Sequence, residues 1–259
     1  MVKAAVSGGM LRRDARGDVA LLTLAHGKAS ALDLELLEAL DAALAEEQAS
    51  GARALVLTGQ GGIFSAGVDL FRVLDGGRKY LEEFLPALER CLLRMFRFDK
   101  PLVCAINGHA IAGGCIFACC GDLRLFVRGP ATIGVPELLV GVPFPPSALE
   151  LVRYAVPAGA LQRAVITGRI YRAEAALEAG LVDELVEAEE LLPQAIAAAE
   201  RMASVPARAF AHTKGLLRRP ALDLIERHGK ATRAEVLELW CSPAVQAAIR
   251  AYVERTLKR

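Results

Sequence analysis

Apolar and polar positions in the first half of the chain follow two rhythms. Short runs in which nearly every position is apolar, at 18–25, 53–58, 102–106 and 122–127, read as strands, those at 53–58 and 102–106 of the fully buried kind. Between them lie tracts of helical spacing: 33–49, with leucines at 34, 37, 40 and 44 behind an acidic start, then 79–98, then a small-residue tract at 112–120. Gly59, Gly61 and Gly62 close the second run, and Asn107-Gly108 turns the chain after the third. Strands alternating with helices predict an α/β fold with crossover connections.

From Pro145 onward the rhythm is helical to the end, apart from a short strand at 183–186. The segments 189–203, 206–218, 221–240 and 243–257 carry apolar residues three and four apart, and Pro206, Pro220 and Pro243 read as helix starts. A tail with Leu, Ile, Val and Trp240 on its apolar faces must pack, either on the α/β body or on another subunit. There is no fixed-period repeat and no low-complexity linker. The simplest division is an α/β core at 1–203 with a helical C-terminal region at 204–259.

Composition narrows the class. A chain of 259 residues buries a full core without disulfide staples, and 54% apolar with 24% charged residues excludes a disordered chain. Thirty-one Lys and Arg against 30 Asp and Glu leave a net charge of +1, so the chain does not read as a nucleic-acid binder. Six cysteines without a secretory leader ahead of them indicate reduced thiols and a cytoplasmic location. Cys115, Cys119 and Cys120 lie in an apolar stretch without metal-ligand spacing, so they read as buried small hydrophobes and no metal is expected. The apolar tract 102–120 is broken by Asn107, Gly108, His109 and Gly113-Gly114, as a soluble core segment is and a membrane span is not.

Two glycine-bearing segments follow buried strands: GGIFSAGVDL at 61–70 and NGHAIAGGCIF at 107–117. They are either ordinary tight turns or a pair of loops whose peptide N–H groups converge on one ligand oxygen, the arrangement that stabilises an enolate or tetrahedral oxyanion. No GxGxxG or GK[ST] fingerprint is met, and Ser65 lacks the GxSxG elbow. Glu137 sits in IGVPELLVGVPF, with no other charge between Arg128 and Glu150. Desolvation there raises a carboxyl pKa and suits a proton shuttle, and the other reading is a helix-start glutamate after Pro136. His109 reads as packed or backbone-bonded rather than as a base, and Asp69 and Asp122 as caps or braces. Arg255, Lys258 and Arg259 are either a solvated helix end or a contact for a phosphate.

In combination these motifs resemble the enoyl-CoA hydratase/isomerase family, the crotonase superfamily. The residues that carry the resemblance are HGKASAL at 26–32, FSAGVDL at 64–70, INGHAIAGGC at 106–115, GDLRL at 121–125 and IGVPELLVGVPF at 133–144, in the family's order. It implies a crotonase-like spiral of β-β-α units with a helical C-terminal region that packs across subunits, in a homotrimer or a dimer of trimers. It also implies an acyl-CoA thioester as substrate in fatty acid metabolism, with coenzyme A entering as part of that substrate and no separate cofactor. Neither a nucleic-acid nor a membrane partner is implied. The thioester oxygen would accept hydrogen bonds from the backbone N–H of Val68 and Gly113. Lys28, Ala29, Ala31, Ala66, Gly67, Asp69, Leu70 and Ile116 would line the coenzyme A and acyl path.

One position departs from the family pattern. Hydratases carry a first glutamate two residues after the last glycine of the second loop and a second in the GxPE segment; here the first position is Ile116 and the second is Glu137. The chain also has one extra residue between Asp122 and Glu137, placed most easily at Arg128-Gly129-Pro130. A single carboxylate beside an oxyanion hole suffices to take a proton from the carbon next to a thioester carbonyl and return it elsewhere. The pattern is similar to that of 3-enoyl-CoA to 2-enoyl-CoA isomerases. Enoyl-CoA hydration, thioester hydrolysis and retro-Claisen cleavage are the alternatives, and a degenerate acyl-CoA-binding scaffold is the non-enzymatic one.

Overall fold

A computed structural model describes residues 9–256. Lys258 and Arg259, and the last residue of the 243–257 segment, lie outside the described residues. The chain begins with a hairpin, β1 (Leu11–Arg16) and β2 (Val19–Leu24), followed by α1 (Leu34–Ala49). One unit then repeats: a strand, a three-residue strand and a helix. It recurs as β3 (Ala54–Gly59), β4 (Ile63–Ser65) and α2 (Leu70–Arg97); β5 (Leu102–Ile106), β6 (His109–Ile111) and α3 (Gly113–Cys119); and β7 (Leu123–Val127), β8 (Thr132–Gly134) and α4 (Glu137–Val140). After α5 (Pro146–Ala155) and α6 (Ala158–Ile166) come β9 (Ile170–Arg172), α7 (Ala173–Glu178) and β10 (Glu184–Val186). The chain closes with α8 (Leu191–Ala203), α9 (Ala207–Cys241) and α10 (Pro243–Thr256).

Each turn of the spiral contributes one strand to each of two sheets. The larger has the order β1-β2-β3-β5-β7-β10 and the smaller β4-β6-β8-β9. Only the first pair of the large sheet and the last pair of the small one are antiparallel. Every residue of β3 and β5 is buried, because helices cover both faces of a parallel sheet and leave no side for polar residues. The fold is the crotonase-like α/β spiral that the motifs imply.

The structure corrects several boundaries. The strand β1 is a mostly exposed edge strand of sequence LRRDAR, which carries no apolar alternation to read. The three-residue strands β4, β6, β8 and β9 are too short to show a period, and β9 interrupts a stretch that reads as helical. Helix α2 starts at Leu70 rather than 79, capped by Asp69, and its early half is disguised by a break at Gly77 with φ 54° and ψ −144°. Pro220 does not begin a helix but lies inside the 35-residue α9. The missing N–H costs one hydrogen bond there, and the helix runs on because both flanks are anchored: Lys214 and Arg218 are buried before the proline, and Ala221 and Ile225 after it.

The C-terminal helices pack on the body of their own chain. Helix α9 lies on α2 and α5, and α10 on α2 and α4. The anchor of α9 is ionic. Asp122 receives Lys214 Nζ at 2.5 Å and an Arg218 nitrogen at 2.7 Å, while Lys214 also donates to Lys100 O and Arg218 to the carbonyls of Phe96 and Cys120. Asp122 is thus a brace, and its Oδ2 also accepts the Leu102 N–H at 2.8 Å. Cys115, Cys119 and Cys120 are buried as expected of small hydrophobes. No helix among the described residues is long and apolar enough to cross a membrane.

Removing the one carboxylate from this cluster strands two buried cations. Asp122→Ala is expected to lower the unfolding free energy by about 3–5 kcal/mol, the usual cost of breaking a buried ion pair, in a urea titration at neutral pH. A loss below ~1 kcal/mol would show that α9 is held by apolar contact alone.

Candidate active site

The small sheet brings the two glycine loops together. Because β4 and β6 are parallel neighbours, with Ile63 opposite His109 and Ser65 opposite Ala110, the segments leaving them lie side by side. Gly67, at φ 83°, faces the other loop so closely that a Cβ there would stand 2.6 Å from Ile111 O and 3.0 Å from Gly113 N. Only a residue without a side chain permits that approach.

A third segment fastens the first loop from behind. Ala66 N–H donates to Ala29 O at 3.0 Å, Leu32 N–H to Gly67 O at 2.8 Å and Asp69 N–H to Leu32 O at 3.0 Å. Ser65 Oγ donates to Ser30 O and accepts the Gly67 N–H, which makes this serine a brace. The ladder skips Val68, whose N–H finds no acceptor among the described residues. On the other loop Ala112 holds φ 53° and ψ −123°, a rare conformation for a residue with a side chain, fixed by its N–H on Gly134 O at 2.8 Å. The N–H of Gly113, first residue of α3, is likewise without an acceptor among the described residues, and no side chain caps the helix. Two unengaged backbone donors therefore stand on adjoining loops.

Glu137 arrives by way of β8. Its pairing with β6 sets Gly134 opposite Ile111, two residues before Gly113, and Glu137 opens α4 three residues after Gly134. The side chain is buried, and Oε2 has no hydrogen-bond partner among the described residues. Desolvation pushes its pKa up to about 8, reinforced by the neighbouring Cys119 and opposed by its own backbone N–H. Helix α3 offers no second carboxylate, and Ile116 is buried on it at 4% exposure. The C-terminal helices back this segment: Trp240 Nε1 donates to Pro143 O at 3.1 Å, and Gly141 rests against Ala248 of α10.

The remaining expected residues divide between the loop surface and the interior. Lys28 and Ala66 are exposed, Ala29 and Ala31 half-buried, all on the laced segments. Asp69 uses Oδ1 to cap α2 through the N–H groups of Phe71 and Arg72, and Leu70 points into the core. His109 is surface-exposed and accepts the Thr132 N–H, so it ties β6 to β8 as a backbone-bonded residue. Sequence reasoning passed over His26. Its Nε2 lies 2.6 Å from Asp33 Oδ2, whose other oxygen caps α1 at Leu36 N, so this pair pins the 26–33 turn. A helix-start aspartate marks that cap, but nothing in the sequence joins it to a histidine seven positions earlier.

The enoyl-CoA hydratase/isomerase family model matches residues 14–258. The chain is 27% identical over 240 residues to the mitochondrial enoyl-CoA delta isomerase 1 of Mus musculus, covering 92% of this chain and 83% of that protein. It is 36% identical over 187 residues to a putative enoyl-CoA hydratase of Thermus thermophilus, covering 71% and 72%. Among solved structures, human mitochondrial delta3-delta2-enoyl-CoA isomerase superposes with a TM-score of 0.90 at 26% identity, over 95% of this chain and 97% of that one.

The contact between the loops is testable by two glycine substitutions. Gly61→Ala, with open space around it at φ 64°, should cost only the left-handed backbone, about 1–2 kcal/mol in urea unfolding. Gly67→Ala should cost on the order of 2–5 kcal/mol, since overpacking against Ile111 and Ala112 adds to the strain. Equal losses would mean that the two loops do not touch.

Proposed function

The chain belongs to the enoyl-CoA hydratase/isomerase family, and within it we propose that it shifts a double bond, converting 3-enoyl-CoA to 2-enoyl-CoA thioesters with Glu137 as the proton carrier. The observation that carries this reading is the carboxyl inventory: across α3 and α4 Glu137 is the sole carboxylate, buried and with one oxygen unpaired. One base with a free oxygen fits removal of a proton from one carbon and its return to another. Holding and splitting a water between two carboxylates needs a second acid, and Ile116 stands in its place.

The thioester oxygen accepts hydrogen bonds from the N–H groups of Val68 and Gly113. Glu137, as carboxylate, takes a proton from carbon 2; the electron pair of that C–H bond delocalises through carbon 1 onto the oxygen, giving a dienolate. The two donors stabilise the developing charge. The protonated Glu137 then delivers its proton to carbon 4, the carbonyl re-forms, and the double bond lies between carbons 2 and 3. Coenzyme A takes part only as the handle of the substrate, along Lys28, Ala29, Ala31 and Ala66, and no further cofactor enters. The exposed Leu138, Leu139, Ile166 and Ile170 offer an apolar surface for assembly into a trimer or a pair of trimers. Hydration of 2-enoyl-CoA is the second reading, favoured by the higher identity to the Thermus protein.

Purified protein should isomerise 3-enoyl-CoA faster than it hydrates 2-enoyl-CoA, and the reverse order would promote the second reading. Glu137→Gln should lower isomerisation by about 10²–10⁴, the worth of a positioned base, and abolish exchange at carbon 2 in D₂O. Since the base must be ionised, wild-type kcat/KM should climb with pH and level off above about 8. Stability runs the other way. The folded protein holds this proton more tightly than the unfolded chain, so the contribution is complete below about pH 4.5 and is lost as pH rises through about 8. Glu137→Gln should therefore melt higher than wild type at pH 8.5, and an identical pH dependence of Tm in both proteins would contradict the assigned burial.

A further inference from the structure

At the far end of α3 from Gly113, beside Cys119, lies a cavity of about 580 Å³ between β7, α5, α8 and α9. Its floor is ionic. Arg124, Lys214 and Arg218, all more than nine-tenths buried, form direct ion pairs with two carboxylates, Asp122 and Asp183, while Asp99 acts on Lys214 from farther off. Arg124 has each of its three nitrogens on Asp183 or the Ala155 carbonyl. Lys214 and Arg218 share the single charge of Asp122, so direct pairing leaves one positive charge at the bottom of the cavity unmatched. Both also have donors to spare. Lys214 uses two of its three N–H bonds, and Arg218 Nε finds no acceptor among the described residues.

The walls are of the opposite character. Tyr154, Met202, Ala209 and Phe210 line them, and the rim ends in Val205 and Leu217, which are 43% and 63% exposed. A buried unit of positive charge under an apolar sleeve that opens to solvent describes the complement of a monoanion with an alkyl chain. We propose that this cavity binds the anion of a medium-chain fatty acid, its carboxylate on Lys214 and Arg218 and its chain along the wall toward Leu217. A dianionic phosphate would overshoot the charge by one and leave the sleeve empty. Desolvation holds the Lys214 pKa down at about 8, and a carboxylate beside it would restore the charged form. The inference is independent of the isomerase reading, since Glu137 is absent from the cavity wall.

The test is calorimetric titration of the full chain with octanoate, decanoate and decanol. Decanoate should bind once per chain, octanoate should bind more weakly by about fourfold for each methylene removed, and decanol at least tenfold more weakly than decanoate. Ala209→Trp, which fills the sleeve, and Leu217→Asp, which sets a like charge at its mouth, should each weaken decanoate at least tenfold with an unchanged unfolding midpoint. Glu137→Gln should bind decanoate as wild type does, which separates this site from the candidate active site. Equal affinity for decanol and decanoate, undiminished binding in both wall variants, or loss of binding in Glu137→Gln would each overturn the proposal. So would a chain that binds no decanoate and whose self-association is broken by Leu217→Asp, since the occupant would then be a second copy.

Discussion

A side chain at position 67 would have to share space with the carbonyl oxygen of Ile111. That backbone-on-backbone contact is the constraint from which the candidate site follows. It exists because each turn of the spiral places one strand in the large sheet and the next in the small one, so successive turns deliver their loops to the same place. Once Gly67 is seated against Gly113, the lacing by residues 29–32 decides which N–H groups are consumed and which remain. Val68 and Gly113 are left over by geometry, without any side chain selecting them. Backbone donors of this kind need no reorganisation when charge appears in front of them.

The molecule handles its buried charge in two contrasting ways. At the foot of α9, burial is balanced by pairing: Asp122 meets Lys214 and Arg218, and carbonyls take up half of the remaining donors. At α4 it is balanced by protonation, because Glu137 has no cation to meet and keeps its proton instead. The first arrangement holds elements together across ninety residues of sequence. The second contributes little to holding the fold and leaves a group whose proton is available near neutral pH. That difference in partners separates the bracing carboxylate from the proton-holding one more sharply than burial, since both are shielded from water.

What could be read from the chain alone was whatever the local sequence carries by itself. The five- and six-residue buried strands announced themselves, as did α1 with its leucine spacing and Glu137 with its uncharged surroundings. The three-residue strands of the small sheet did not, because a period cannot be seen in so few positions, and β1 did not because its outer face is polar. The start of α2 was hidden by the Gly76-Gly77 pair, and the continuity of α9 by Pro220, whose local penalty is overridden by anchors on either side. The site was half legible: the motif residues could be assigned, but the His26–Asp33 pin, the bracing role of Ser65 and the strained Ala112 arise only when distant segments meet.

Trp240 and Ala248 press on the segment that carries Glu137, and both follow it in the chain by about a hundred residues. The order of synthesis therefore sets when this segment acquires its support. A nascent chain that has emerged as far as α8 already owns both glycine loops and the glutamate, yet the backing that fixes α4 has still to leave the ribosome. A chain cut short before α9 would carry every motif residue without the contacts that back α4.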